Sequence, residues 1–318
     1  MSSKFKIKAV PSLIVQAYYE MLDDKGFKMA AALSYYAAFS LGPLLIIVIS
    51  IAGFFFGEDA AKGQVFSELK NLVGPDGAVM IETILKGASS KSTGIFAATL
   101  SIILLVLGSI GVFLELQESL NIIWGAELKP GKGLWLFIKN RLVSFSMVVA
   151  TGFLLMVSLI ISSLISIVNT FMGEQFPSLI PMAFIFNNLS SLIVLTVLFA
   201  MVYKVLPDVL ISWKYVWFGA ILTSVLFTLG KYLISLYLGS SSFSSTYGAA
   251  ASLVIIFVWI YYSGLILYFG AELTQVFRKR YSDQKLLPTN DSIIVPKATD
   301  LINSAVKKSS VKKVNKAG

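Results

Sequence analysis

Six long apolar stretches alternate with polar segments along the chain. These stretches are nearly free of charged residues and cover 37–56, 94–114, 142–168, 183–203, 215–238 and 248–269. A bilayer core about 30 Å thick is crossed by roughly 20 apolar residues in a helix. The stretches do not alternate apolar with polar residues, as membrane β-strands do. The pattern predicts an all-α protein, a polytopic transmembrane helical bundle of six spans.

The amino-acid composition supports a membrane protein and argues against other classes of protein. Hydrophobic residues make up 56% of the 318 residues and charged residues only 14%, whereas about a quarter of the residues in soluble domains are charged. Cysteine and histidine are both absent, which excludes disulfides and removes the commonest general base and metal ligand. The sequence contains no P-loop, G-x-S-x-G elbow or H-E-x-x-H motif. We therefore expect no enzymatic activity, no cofactor and no metal site.

Lysine and arginine fall mainly on one side of the predicted bundle. They gather in the N-terminal segment 1–29, in the loop after the second span and in the tail 282–318. Of the loops on the other side, only 57–93 contains any. Positively charged loops of membrane proteins stay in the cytoplasm. Both termini are therefore predicted to be cytoplasmic, with the 57–93 loop outside as a small helical hairpin.

The chain divides into three parts on this basis. Segment 1–29 contains a short amphipathic helix at 11–22, which suits either the surface of an anionic leaflet or packing beneath the bundle. The transmembrane domain covers 30–281. The tail 282–318 is rich in lysine and serine and is predicted to be disordered. Its charge indicates contact with anionic membrane lipids rather than with nucleic acid.

Small residues mark two surfaces for helix packing. They recur every four positions along the first span, at Ala30, Ser34, Ala38 and Gly42. A second pair, Gly248 and Ser252, begins the sixth span. Small residues let two membrane helices approach closely, within one chain or between copies, so a homo-oligomer stays open. Pro43 predicts a kink in the first span. We find no internal repeat that would define an inverted-repeat architecture.

One cation lies well inside a predicted span. Lys231 is roughly 24 Å along the fifth helix from Tyr215. The polar segment that follows contains hydroxyl groups, among them those of Ser244, Ser245 and Tyr247. The ammonium group either snorkels to the outer headgroups or joins these hydroxyls in binding an anionic substrate or lipid.

A second set of polar residues collects at the predicted cytoplasmic ends of the spans. It comprises Glu115, Glu118, Asn121, Arg141, Lys204, Asp208, Glu272 and Gln275. One interpretation is a network of ion pairs and hydrogen bonds that locks the helix ends. The alternative is a proton-coupled or cation-gated transport step that uses the glutamates, since neighbouring carboxylates raise each other's proton affinity.

Five segments carry a resemblance to a known family. They are AAALSYYAAFSLGPLLIIV at 30–48, LQESLNIIWG at 116–125, LVSFSMVV at 142–149, and the long segments 202–239 and 247–277. On these segments the chain resembles the YihY/virulence factor BrkB family of bacterial inner-membrane proteins, formerly labelled ribonuclease BN. The resemblance implies six spans in the cytoplasmic membrane but supplies no reaction. The absence of histidine agrees with setting the ribonuclease label aside.

Two functional hypotheses follow, from different classes. The first is a transporter or lipid-handling protein for an anionic envelope compound. In it, Lys231 forms an outward anion site, and Glu115, Glu118 and Glu272 form an inner gate. The alternative is a non-transporting membrane scaffold for envelope assembly that uses the 57–93 loop or the basic tail. Under both hypotheses the expected partners are membrane lipids, especially anionic ones, and not nucleic acid.

Overall fold

The computed structural model describes residues 10–57, 59, 62–63, 66, 82, 111–129, 180–240, 251–282, 285–289 and 292–295. Within these ranges the chain forms long helices that are joined at one end by very short strands. The helices are α1 (Val10–Asp23), α2 (Gly26–Phe56), α3 (described over 111–124), α4 (Ile180–Val205), α5 (Trp213–Ser240) and α6 (Ala251–Tyr281). The strands are β1 (Ala126–Leu128), β2 (Val209–Leu210), β3 (Leu287–Pro288) and β4 (Ser292–Ile294).

Four predicted spans coincide with described helices, namely α2, α4, α5 and α6. Among the described residues, two helices are long and apolar enough to cross a membrane: Trp213–Ile234 and Val254–Tyr281. Ser191–Val205 is a shorter apolar helix. These helices fit a helical membrane protein. The number of six spans and the cytoplasmic termini stay predictions.

The remaining predicted elements fall mostly outside the described residues. The second span, 94–114, is described only from residue 111, and the third span, 142–168, lies wholly outside. Of the 57–93 hairpin, only isolated positions are described.

A tight turn connects α1 to α2. α1 buries Leu13 and Ala17 against Leu273 and Val276 of α6. The chain then turns at Lys25, which adopts the left-handed conformation with φ of 60°. A residue with a Cβ pays a steric cost in this conformation, so the turn is held by the packing of the two helices on either side of it.

The ridge of small residues on α2 begins in a close contact with α6. Ala30 is fully buried and Ser34 is nearly so. A Cβ added to Gly264 of α6 would lie 3.4 Å from the Cβ of Ala30. α2 continues as helix through Gly42 and Pro43, and the kink at Pro43 stays a prediction.

α5 and α6 pack through a reciprocal contact of glycine and threonine. A Cβ on Gly219 of α5 would lie 1.7 Å from Oγ1 of Thr274, and a Cβ on Gly270 of α6 would lie 1.8 Å from Oγ1 of Thr223. Each threonine hydroxyl donates to a carbonyl in its own helix, Thr223 to Gly219 and Thr274 to Gly270, both at 2.7 Å. The hydroxyls are therefore satisfied inside their helices, and only glycine leaves room for them across the interface.

This contact has a sequence basis that the search for repeats missed. The segments FGAILT at 218–223 and FGAELT at 269–274 differ at one position. Because Gly219 meets Thr274 and Thr223 meets Gly270, the two helices run antiparallel here and are related by a local two-fold axis. The differing position separates two environments: Ile221 is 52% exposed, whereas Glu272 is fully buried.

α4 completes the described core through hydroxyl contacts with α5. Thr196 Oγ1 lies 2.7 Å from Ser224 Oγ. The Tyr203 hydroxyl lies 2.9 Å from Thr223 Oγ1 and donates to the carbonyl of Leu267 at 2.7 Å. Tyr203 thus connects α4 to both partners of the glycine–threonine contact.

The short strands form a corner at the end of the bundle where α3, α4 and α6 finish and α5 begins. β1 pairs antiparallel with β4, Ala126 opposite Ile294, and β2 pairs antiparallel with β3, Val209 opposite Pro288. The chain enters β1 through Gly125, which has φ of 63° and receives a hydrogen bond on its carbonyl from the amide of Val295 at 2.8 Å. We call these four strands together with Asp208 the strand corner.

Part of the C-terminal tail differs from its prediction. Its composition predicts that 282–318 is disordered, yet the segment contains the strands β3 and β4, and Ser292 is fully buried. Order comes from pairing with β1 and β2, which lie far away in sequence. The rest of the tail beyond residue 295 is outside the described residues.

Candidate functional site

Asp208 connects the segments of the strand corner through hydrogen bonds of its side chain and its backbone. Its carboxylate accepts hydrogen bonds from Nδ2 of Asn121 at 2.8 Å and Nε2 of Gln117 at 3.1 Å. Its own amide donates to Oδ1 of Asn121 at 2.8 Å. Asn121 and Gln117 stand one turn apart on α3, and both are buried. The arrangement fixes the end of α3 to the turn that follows α4.

The backbone of Asp208 holds the returning C-terminal segment. Its carbonyl accepts from Ser292 Oγ at 2.6 Å and from the amide of Thr289 at 3.1 Å. Ser292 Oγ also accepts from the Thr289 amide at 3.0 Å. One residue therefore ties together α3, α4 and the β3–β4 segment.

Lys204, another member of the predicted polar set, contacts the segment that leads into α5. Its ammonium group donates to the carbonyl of Ile211 at 2.5 Å and lies 5.8 Å from the ring centroid of Trp213. The cation thus stabilises the turn that leads into α5, and Asp208 takes neutral amide donors instead. Trp213 and Trp217 stay partly exposed, as expected of aromatic residues at a membrane interface.

A polar line follows the contact of α3 with α6. Ser119 Oγ donates to Glu115 Oε1 at 3.4 Å. Burial, and next the negative charge of Glu118, raises the pKa of the Glu115 carboxyl above its ordinary value, while the hydrogen bond from Ser119 lowers it in part. Glu118 itself is exposed. The surroundings of Glu115 therefore favour its protonated form.

Gln275 and Glu272 continue this line on α6. The side-chain amide of Gln275 donates to the carbonyl of Ile123 in α3. Oε1 of Gln275 and the indole N–H of Trp124 are buried without a hydrogen-bond partner in the part of the chain that the structure describes. Glu272, one turn before Gln275, is fully buried. The two unpartnered atoms, Oε1 of Gln275 and the indole N–H of Trp124, are costly in this position unless solvent, an ion or a ligand satisfies them.

Lys231 lies apart from all of these residues, in the distal part of α5. Its side chain is half-buried, and no hydrogen bond or ion pair of Lys231 is found among the described residues. The preceding Gly230 has no room for a side chain, because a Cβ there would overlap the hydroxyl of Tyr262. Close packing of α5 on α6 thus fixes the backbone that presents Lys231.

Several predicted site residues cannot be placed in this geometry. Arg141, Ser244, Ser245, Tyr247 and Gly248 lie outside the described residues. Ser252 and Gly42 lie on the helical backbone of α6 and α2, and Ala38 is half-buried in α2.

Sequence reasoning missed the glycine–threonine pairs and Ser292. The repeated FGAxLT segments were the available signal for the glycine–threonine pairs.

Within the described ranges, no three carboxylate, histidine or cysteine side chains gather as a metal site would require.

Comparison with known proteins assigns the family. The sequence model described as Virulence factor BrkB matches residues 17–293. The chain belongs to the virulence factor BrkB family. The matched region contains every described residue of the strand corner except Ile294, as well as Lys231 and the line from Glu115 to Gln275. The family resemblance found in the sequence is thereby confirmed.

Relatives of this BrkB-family chain are named as membrane proteins. The UPF0761 membrane protein Smlt0865 of Stenotrophomonas maltophilia is 27% identical over 81% of this chain and 58% of its own length. The chain therefore spans little more than half of that relative. The UPF0761 membrane protein MS0032 of Mannheimia succiniciproducens is 28% identical over 86% of this chain and 91% of its own length. No solved structure matches the chain. The chain is thus an integral membrane protein of this family.

Proposed function

We propose that this protein binds an anionic compound of the bacterial envelope and transports or handles it, with Lys231 as the residue that contacts the anion. The observation that carries the proposal is the environment of Lys231. It is a cation in a helix long and apolar enough to span a membrane, and the described residues offer it no acidic partner. A charge at such a place is costly unless a ligand or lipid headgroup compensates it.

The proposal assigns supporting roles to neighbouring groups. Ser244, Ser245 and Tyr247 follow α5 in the sequence and would supply hydroxyl donors to the same anion. The glutamates Glu115 and Glu272 would form the inner gate, since Glu115 has a raised pKa and Glu272 is fully buried. Glu118, being exposed, would act on Glu115 through its charge.

The same proposal covers the cellular location of the protein and its mode of action. The protein would be a multi-pass protein of the bacterial inner membrane, with six spans and both termini in the cytoplasm. It would act by binding and movement rather than by catalysis, without a cofactor. The non-transporting scaffold for envelope assembly is kept as an outcome of the test.

Mass spectrometry of co-purified small molecules and lipids tests the proposal. The wild type, Lys231→Ala and Lys231→Arg are purified in a mild detergent, with Lys214→Ala as the matched control. Lys214 lies on the same helix, but its ammonium group sits 4.6 Å from the ring centroid of Tyr215 at the other end. All four proteins should elute at the same size, which reports that they fold.

We expect one anionic species to be enriched with the wild type, Lys231→Arg and Lys214→Ala, and to be reduced at least several-fold with Lys231→Ala. A headgroup with acyl chains would identify a lipid, and a species without them a soluble metabolite. Equal retention by all four proteins would overturn the anion site at Lys231. The scaffold hypothesis would then require a protein partner at fixed stoichiometry that is lost when 57–93 is deleted.

A further inference from the structure

Helix α1 has two apolar faces, and the bundle uses only one of them. Leu13 and Ala17 are fully buried against α6, and Met21, on the same side of the helix, is 4% exposed. A second apolar face is exposed to between 39% and 63%, and it consists of Ile14, Val15, Tyr18, Tyr19 and Leu22. At 100° per residue, the centres of the two faces are about 130° apart around the helix axis. Within the part of the chain that the structure describes, a broad apolar face of α1 is therefore left uncovered.

The contacts of α1 with the end of α6 give its direction. Arg280 donates to Ser12 Oγ at 2.7 Å, and the ammonium group of Lys279 lies 3.6 Å from the carboxylate of Glu20. Ser12 and Glu20 are eight residues apart, which is about 12 Å along a helix. Two adjacent residues at the end of α6 thus contact both halves of α1. The short helix crosses the end of α6 rather than running along it, so it lies near the membrane plane if α6 spans the bilayer.

The depth of α1 agrees with the boundary between headgroups and acyl chains. The cluster that its buried face forms with α6 also packs against Phe218 and Leu222, which lie in the first turns of α5 close to the exposed pair Trp213 and Trp217. Tryptophan and tyrosine favour this boundary because they carry an apolar ring and a polar group. Two of the exposed residues of α1, Tyr18 and Tyr19, have the same character.

The charges around α1 suit anionic headgroups. Lys25 in the turn after it and Lys28 in the first turn of α2 are both exposed, and the last turn of α6 carries Arg278, Lys279 and Arg280. Glu20 pairs with Lys279, and Asp23 lies beside Glu20 on the polar face, next to Val15 and Tyr19 at the edge of the apolar face. Basic residues that flank an apolar helix surface favour binding to an anionic leaflet.

We propose that α1 is an interfacial anchor whose Ile14, Val15, Tyr18, Tyr19 and Leu22 face inserts into the leaflet of anionic lipids around the bundle. The anchor fixes the end of α6 at the level of the headgroups through Arg280, Lys279 and the buried face of α1. This inference does not depend on an anion site at Lys231, and each can fail without the other.

Site-directed spin labelling of the full-length protein tests the anchor directly. The chain contains no cysteine, so single replacements carry the only label. Val15→Cys and Tyr18→Cys report on the apolar face, and Gln16→Cys and Asp23→Cys on the neighbouring exposed polar face of the same helix. Ile14→Cys and Leu22→Cys replace the first pair if either fails to fold. The labelled proteins are reconstituted in vesicles of phosphatidylethanolamine and phosphatidylglycerol, and collision rates with oxygen and with a water-soluble nickel chelate are measured.

We expect the ratio of oxygen to nickel collisions to be several-fold higher at Val15 and Tyr18 than at Gln16 and Asp23. Similar ratios at all four positions would mean that α1 stands in water and would overturn the anchor. Exclusion of both reagents from Val15 and Tyr18 would mean that protein covers the face, from this chain or a second copy. That result would also overturn insertion into lipid.

Discussion

The strand corner and the region of Lys231 hold polar groups in opposite ways. In the corner, Asp208 receives hydrogen bonds on its carboxylate from two amides and on its carbonyl from two further donors. In the distal part of α5, Lys231 has no such bond among the described residues. A polar group that is hydrogen-bonded within its own chain stabilises the fold, whereas a charged group without such a bond is available to a ligand. The comparison therefore separates residues that hold the fold from the residue that would bind.

The largest expected effect lies in the packing that holds α5 in place. Gly270→Ala should lower the free energy of unfolding by about 3 kcal/mol, because the new Cβ would overlap the hydroxyls of Thr223 and Tyr203. Gly264→Ala is the matched control on the same helix, since its Cβ would come no closer than 3.2 Å to the flexible end of Leu33 and 3.4 Å to the Cβ of Ala30, without the overlap found at Gly270. Denaturation in detergent measures both. Equal losses for the two variants would contradict the close contact at Gly270.

The next effect is in the corner itself. Asp208→Ala should lower the free energy of unfolding by about 2–3 kcal/mol, since it leaves the buried amides of Asn121 and Gln117 without their acceptor. Asp208→Asn keeps one acceptor oxygen and should lose less. The same denaturation assay compares them. An Asp208→Ala protein as stable as the wild type would show that the corner is not held through this residue.

Ser292→Ala tests whether the returning tail segment contributes to the fold. Removing the hydroxyl deletes one donor to the Asp208 carbonyl and one acceptor of the Thr289 amide, for an expected loss of about 1 kcal/mol. Limited proteolysis should also cut more rapidly after residue 282 in the variant. Unchanged stability and an unchanged rate of cleavage would indicate that this segment is disordered, as its composition predicts.

The smallest effect concerns pH. The raised pKa of Glu115 means that the folded protein favours the protonated carboxyl, and its causes are burial and then the charge of Glu118. Stability from this group is full below the ordinary value of 4.5 and is lost as pH rises through the raised pKa. Relative to Glu115→Gln, the wild type should therefore lose thermal stability between acid and neutral pH. Glu118→Gln should move this loss to lower pH, and a pH-independent difference would contradict the assignment.

The helices and the corner differ in how far the sequence predicts them. Spans such as 183–203 and 215–238 follow from length and hydropathy alone and coincide with α4 and α5. The strands are two or three residues long and pair with segments far away, so no local pattern marks them. Ser292 sits among residues typical of disorder, and its burial follows from long-range contacts, namely its bond to Asp208 and the pairing of β4 with β1.

The sequence likewise predicts some contacts of the candidate site and not others. Asn121 and Asp208 were expected at one depth and are hydrogen-bonded, whereas Lys204 binds the carbonyl of Ile211. Gln117 lies among other polar residues of α3 but is not one of the predicted site residues, because the sequence does not show which group its side chain meets. The glycine–threonine contact was encoded in FGAILT and FGAELT, but a six-residue similarity becomes meaningful only when the two segments are seen to face each other.

The most direct test of the account combines both regions in one measurement. Anionic species retained per protein are quantified by mass spectrometry for Lys231→Ala and Asp208→Ala, and the thermal stability of each is recorded alongside. The account predicts that Lys231→Ala keeps the stability of the wild type and loses the anion, whereas Asp208→Ala loses stability and keeps the anion. Loss of the anion from Asp208→Ala together with full retention by Lys231→Ala would contradict it.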